Sequence, residues 1–155
     1  MPTRILVLIV AIPLFAAGPP PFARGMIDAH NAVRRRTGVP PLVWSDRLAA
    51  AAERWAETLM ANGRFVHNAK TPYGENLFEI VGGSASPAEI VSEWASEEKD
   101  YNYAKNSCDR VCGHYTQIVW RDTRKVGCAI VRGGNREVCV CEYGPSGNYV
   151  GERPY

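Results

Sequence analysis

Histidine is scarce in this chain. Only His30, His67 and His114 are present, so any imidazole-based site has few candidates. The common catalytic signatures are missing as well. There is no H-E-x-x-H of a metalloprotease, no G-x-S-x-G elbow (Gly82-Gly83-Ser84-Ala85-Ser86 does not fit), and no P-loop or dinucleotide fingerprint. A charge excess is lacking too: 18 Lys and Arg against 16 Asp and Glu leave +2. Because the two signs interleave, no basic stripe offers itself to nucleic acid or an anionic membrane. No internal repeat, heptad or low-complexity tract is found, and no second apolar run of membrane-spanning length follows Ala17.

What is there describes an exported globular domain. At 155 residues and 46% hydrophobic, the chain suits one domain with a real core. Arg4 precedes an apolar run over 5–17 that is short for a bilayer span, which predicts a signal peptide over 1–18. Cleavage after Ala23 competes with cleavage after Gly18, and an uncleaved membrane anchor is the alternative to both. Residues 19–25 form a Pro-rich leader and 26–155 the domain. The mature chain is expected to be extracellular, without a transmembrane anchor.

All five cysteines lie in the last third of the chain: Cys108, Cys112, Cys128, Cys139 and Cys141. Export places them where disulfides persist. The number is odd, so one thiol stays free or pairs between chains, and spacing alone does not say which. A zinc cluster is the rival reading, but C-x3-C and C-x-C match no common zinc ribbon or finger.

Periodicity predicts a helix over 26–36 that ends before Gly38 and Pro40-Pro41. A second helix is capped by Ser45, carries Leu48, Ala52, Trp55 and Leu59 on one face, and stops at Gly63. A third starts at Ser86, where Pro87 suits the first turn and Glu89 completes a capping box, with Ile90 and Trp94 facing inward. Strands are expected at 76–81, 126–131 and 138–143, the last two joined as a hairpin across Gly133-Gly134-Asn135. Helices and strands then share one layered α+β core. Trp44, Trp55, Trp94 and Trp120 read as core aromatics, and Glu53, Glu93 and Glu98 as solvated helix faces.

Four local motifs go further. Gly113-His114-Tyr115-Thr116-Gln117-Ile118-Val119-Trp120 is followed by Val126-Gly127-Cys128, and Gly74-Glu75-Asn76-Leu77 has Phe65-Val66-His67-Asn68 upstream. Trp94-Ala95-Ser96-Glu97 precedes Tyr101-Asn102-Tyr103, and the tail carries Cys141-Glu142-Tyr143 and Gly147-Asn148-Tyr149-Val150-Gly151. Together they resemble the signatures of the CAP superfamily of cysteine-rich secretory, antigen 5 and pathogenesis-related proteins, over about 26–155. Plant and microbial pathogenesis-related members look most similar.

The resemblance implies a three-layer α/β/α sandwich with a mainly antiparallel central sheet, and a cleft where His67, Glu75, Glu97 and His114 meet as a tetrad. His67 and His114 would hold an exchangeable divalent ion such as zinc while Glu75 and Glu97 orient its water or the ring N–H groups. A buried polar network bracing helices against the sheet is the alternative for the same four residues. His30, in Ala29-His30-Asn31, suggests packing and capping. The resemblance also implies disulfides Cys108–Cys112 and Cys128–Cys141, with Cys139 as the odd thiol. Cys139 shares the strand face of Cys141, so exchange between them, or a Cys139-linked dimer of an otherwise monomeric protein, stays open. Gly63 and Gly133 stand where plant members carry another disulfide. Glu142 stands where many carry asparagine, which weakens the case for a signalling peptide cut from the tail.

Three functional expectations follow. The first is a non-enzymatic, secreted, defence-type protein that binds a sterol or fatty acid. The second is a metal-assisted hydrolase with Glu75 or Glu97 as general base on a metal-bound water. The third is an extracellular interaction module built on the loops around Gly82 and Gly134.

Overall fold

The computed structural model describes residues 20–155. The expected signal peptide and its cut after Gly18 lie outside them. Helix α1 spans Pro21–Thr37 and starts five residues earlier than periodicity predicts. Proline at the first helical position lacks only an N–H that would be unpaired anyway, so the Pro-rich leader does not delay the helix. Residues 21–25 of that leader are therefore helical, and Ala23 is buried in the first turn.

Strand β1 (Val43–Trp44) leads into α2 (Asp46–Asn62), whose N-terminus is capped by the Ser45 hydroxyl accepting from Leu48 N. Gly63, at φ 62°, ends α2 in the left-handed conformation that a side chain resists. Leu48, Ala52, Ala56 and Leu59 are the buried positions of α2. Trp55 is half-buried at the edge of that face and donates its indole N–H to Val66 O; half-buried Trp44 likewise donates to Asp46. Of the four tryptophans, Trp94 and Trp120 are the two that are buried.

Strand β2 (Gly74–Val81) is followed by α3 (Pro87–Ala95), which starts with the expected Ser86/Glu89 capping box. A short 3-10 helix (Ser96–Asp100) continues α3. A two-residue ladder pairs β3 (Tyr101–Asn102) with β4 (Ser107–Cys108). Helix α4 (Gly113–Ile118) precedes the hairpin of β5 (Lys125–Gly133) and β6 (Arg136–Gly144). Neither β1 nor α4 is foreseen from periodicity, because two and six residues are too few to show a period.

The main sheet has the order β1-β5-β6-β2, antiparallel except where β1 runs parallel to β5. Alternation along β6 splits the core in two. Val138 and Val140 join Leu77 against α2, at Ala52, Ala56 and Leu59. Cys139, Cys141 and Tyr143 face the opposite layer, with Met26 of α1, Ile90 and Trp94 of α3 and Tyr115 of α4. The result is the three-layer α/β/α arrangement. Each fully buried Leu, Val or Ile contributes about 1.5–3 kcal/mol, so both layers are held mainly by apolar burial. Gly127 is where α2 crosses β5: a Cβ there would collide with the backbone of Ser45, Leu48 and Ala49.

Two disulfides are present, Cys108–Cys112 and the cross-strand Cys128–Cys141. Cys139 is free and completely buried, so linking two chains through it requires the sheet to open.

Candidate functional site

The loop after α2 carries His67, and the second residue of β2 is Glu75. His67 Nδ1 lies 2.6 Å from Glu75 Oε1, which also accepts the Asn68 backbone N–H at 3.0 Å. The imidazole is 63% exposed while the Glu75 side chain is only 4% exposed, so a fixed, buried carboxylate anchors a solvent-facing ring. Glu75 Oε2 is the one buried side-chain nitrogen or oxygen without a hydrogen-bond partner among the described residues.

The second pair is built differently. Glu97 on the 3-10 helix accepts His114 Nδ1 at 2.7 Å through Oε1. Its Oε2 accepts the backbone N–H groups of His114 (2.9 Å) and Tyr115 (3.3 Å). The N-cap residue of α4, Cys112, makes no side-chain cap. Glu97 therefore satisfies from outside the helix the donors that a capping side chain would take. One carboxylate orients His114 and starts the helix that bears it.

Carboxylates only accept, so each Nδ1 carries its hydrogen and each Nε2 is left with a lone pair when the ring is neutral. The Glu75 hydrogen bond raises the His67 pKa; burial opposes it, and the charges of Glu75 and Glu142 add to the rise. At mildly acidic pH His67 is held as imidazolium by this partner.

A buried polar chain runs beneath the two pairs. Asn76, next to Glu75, donates through Nδ2 to His114 O and to Tyr143 Oη, both at 3.1 Å. Tyr143 Oη is 2.7 Å from His30 Nε2, and His30 Nδ1 is 2.7 Å from Met26 O. A carbonyl can only accept, so Nδ1 of His30 donates; the neutral ring then accepts the Tyr143 hydroxyl, which accepts from Asn76. Burial pushes the His30 pKa down to about 4, which keeps the ring neutral. His30 thus ties α1 to the sheet, the packing role expected of it.

Glu142, marked in the sequence only as a departure from the plant members, stands beside the first pair. It lies directly across the ladder from Glu75, is 1% exposed, and accepts the Thr71 hydroxyl at 3.3 Å. Burial first, and then the Glu75 charge, push its pKa up to about 8. The available signal was alternation: Val138, Val140 and Glu142 occupy successive inward positions of β6, where a carboxyl is out of place.

On the α3 side, a cleft of about 340 Å³ is lined by the aromatic side chains of Phe65, Phe78 and Trp94 together with Glu79, Glu93, Glu97 and His114. Trp94 stacks on the His114 ring at 6.1 Å and donates its indole N–H to Leu77 O, which fixes the indole beside the imidazole. Ser96, the one hydroxyl lining this cleft among the described residues, donates to Glu93 O.

For a metal, the donor set fits in part. Nδ1–H held by a carboxylate with Nε2 left over is the usual second-shell pattern of a metal-binding histidine. Among the described residues, however, no group of three or more His, Cys, Asp or Glu stands close enough to hold an ion. Two imidazoles alone fit an ion that keeps several waters and exchanges readily.

Known proteins share this architecture. The family profile described as "Cysteine-rich secretory protein family" (CAP) matches residues 27–143, and the chain belongs to that family. Pathogenesis-related protein 1 of Arabidopsis thaliana is 47% identical over 130 residues, covering 83% of this chain and 80% of the relative. Pathogenesis-related protein 1A of Nicotiana tabacum is 46% identical over 132 residues, covering 83% and 78%. Among solved structures, Schistosoma mansoni venom allergen-like protein 4 superposes with a TM-score of 0.73 at 26% identity, covering 88% of this chain and 95% of that one. NaASP2, solved with Zn2+, gives a TM-score of 0.72 at 22% identity, covering 86% and 84%; at that identity it speaks for the fold.

Proposed function

We propose that this is a secreted, non-enzymatic, defence-type protein that holds an apolar ligand with one polar end, a sterol or fatty acid, in the cleft beside His114. The carrying observation is the composition of that cleft, where the aromatic faces of Phe65, Phe78 and Trp94 and the side chain of Leu77 stand beside His114 and three carboxyls, Glu79, Glu93 and Glu97. An alkyl or ring skeleton gains by leaving water against those faces, while a hydroxyl or carboxyl finds the imidazole. The names of the pathogenesis-related relatives support a defence role, and the two disulfides suit an oxidising compartment.

The test is uptake of cholesterol and of palmitate by delipidated protein at micromolar concentration. Saturable binding of either, weakened at least tenfold in Phe65→Asp, is the expected result. Phe65 is 43% exposed, so this change leaves the core intact. No uptake of either ligand by the unmodified protein overturns the proposal.

A second reading rests on the two imidazoles, each held by its own glutamate. His67 and His114, each oriented through Nδ1 by a glutamate, would hold a divalent ion through Nε2, and such an ion would supply a water of lowered pKa. Glu75 Oε2, unpartnered and buried beside His67, is the carboxylate oxygen able to accept a proton there. Loss of zinc binding, and of a reproducible peptidase activity, in both His67→Ala and His114→Ala would support a hydrolase. Activity that survives both changes would exclude this site from it.

A further inference from the structure

The side of the molecule away from the lipid cleft carries a basic surface. Within α2, Arg47, Ala51, Arg54 and Thr58 lie within about 60° of one another at 100° per residue, whereas Asp46, Glu53 and Glu57 lie roughly 110° away. The exposed surface of this helix is thus divided by sign. Two hollows open along its basic edge. One, of about 320 Å³, is lined by Arg47, Arg124 and Lys125. The other, of about 340 Å³, is lined by Arg54 and Lys70 with the side of Trp55. Tyr73 is a wall of both, which makes them neighbours.

These cations are not neutralised by their surroundings. Among the described residues, Arg47, Arg54, Lys70 and Lys125 enter no ion pair, and Arg124 reaches Asp122 only at 3.7 Å. The single carboxyl lining either hollow, Glu142, lies buried at the floor with its oxygen taken by the Thr71 hydroxyl. None of the strongly exposed large apolar side chains lines either hollow, so nothing there is suited to enter a bilayer.

We propose that the groove formed by these two hollows binds a linear acidic polysaccharide, with carboxylate or sulfate groups of successive sugars on Arg47, Arg124 and Lys125 at one end and on Arg54 and Lys70 at the other. Arg47 and Arg54 stand two helical turns apart, about 10 Å along the axis, so an extended chain meets both clusters and a single small anion does not. Tyr73, at the junction, offers a ring face to a pyranose. Arginine suits the planar carboxylate and the sulfate ester by bidentate contact. The groove is separate from the aromatic cleft, and this proposal stands or falls independently of lipid binding.

The test uses the intact mature protein with polygalacturonate and dextran sulfate as acidic polymers and dextran as the neutral control. Two double variants are compared: Arg47→Glu with Arg54→Glu in the groove, and Lys99→Glu with Lys105→Glu on exposed residues outside it. Both carry the same change in net charge, and thermal melts confirm folding. Binding of at least one acidic polymer and not of dextran is expected, weakening as salt rises. A loss of at least tenfold is expected in the groove variant alone. Equal loss in both variants would show attraction by net charge only and overturn the proposal. So would inorganic sulfate that competes as well as polymer per charge, or binding to phosphatidylserine vesicles without binding to either polymer.

Discussion

Glu75 and Glu142 face each other directly across the β2–β6 ladder, two buried carboxyls in cross-strand register with His67 on the outer oxygen of the first. Like charges directly opposite in a sheet destabilise it, and the conflict falls on Glu142, whose carboxyl pKa is pushed up by burial first and by the charge of Glu75 second. A neutral Glu142 removes the repulsion.

Stability should therefore depend on pH through Glu142. Its folded pKa, about 8, lies above its ordinary value, 4.5. The folded state then binds more protons than the unfolded state between these values, so stability falls as pH rises from 4.5 to 8. Glu142→Gln removes this loss, and at pH 8 it should exceed the parent protein by on the order of 1–3 kcal/mol, read from urea midpoints at pH 5 and pH 8. A variant no more stable than the parent at pH 8 would rule out this assignment.

His30 acts in the opposite direction, over a window that overlaps the first. Its pKa falls from 6.5 to about 4, so below pH 6.5 the unfolded chain takes up a proton that the native state refuses. Stability is complete above 6.5 and drains away towards pH 4, by roughly 3 kcal/mol. A parent protein equally stable at pH 6.5 and pH 4.5 once the carboxylate background is subtracted with His30→Gln would contradict this.

Removing the Glu97 side chain should loosen α4. Glu97→Ala leaves the His114 and Tyr115 N–H groups unpaired and is expected to cost about 1–3 kcal/mol. Glu97→Gln keeps an accepting oxygen and should lose less. Hydrogen exchange at residues 114 and 115 separates the two: fast exchange in Ala and slow in Gln marks the capping role, and equal exchange refutes it.

Cys139 should be silent in the native state. Burial pushes its thiol pKa well above the ordinary value, and no path leads to the sulfur. A thiol reagent such as Ellman's is expected to titrate no thiol at pH 8 in native protein and one thiol in guanidinium. Rapid reaction without denaturant would show that the sheet opens.

Helix α2 was legible because seventeen residues display a full amphipathic period, and α3 because its capping box is a local hydrogen-bond pattern. The start of α1 was not legible, since a proline cluster reads as a break although proline fits a first turn. The residues of the two His–Glu pairs were named through motifs, but their division of labour was not: nothing local to Glu97 says that it caps α4, seventeen residues away. The basic groove was hidden for the same reason. Arg47, Arg54, Lys70, Arg124 and Lys125 are interleaved with acids along the chain, and only folding brings them to one side.

The sequence by itself determined the family, the caps of α2 and α3 and the hairpin, and it singled out the residues of the two His–Glu pairs, because these depend on neighbours within a few positions or on contiguous motifs. Only the tertiary structure decided that Glu142 confronts Glu75, that His30 reaches Tyr143 through a neutral ring, and that Lys70, Arg124 and Lys125 join the basic edge of α2. Those outcomes depend on strand register and on the meeting of distant segments, and the energies involved arise only once water has been excluded between them.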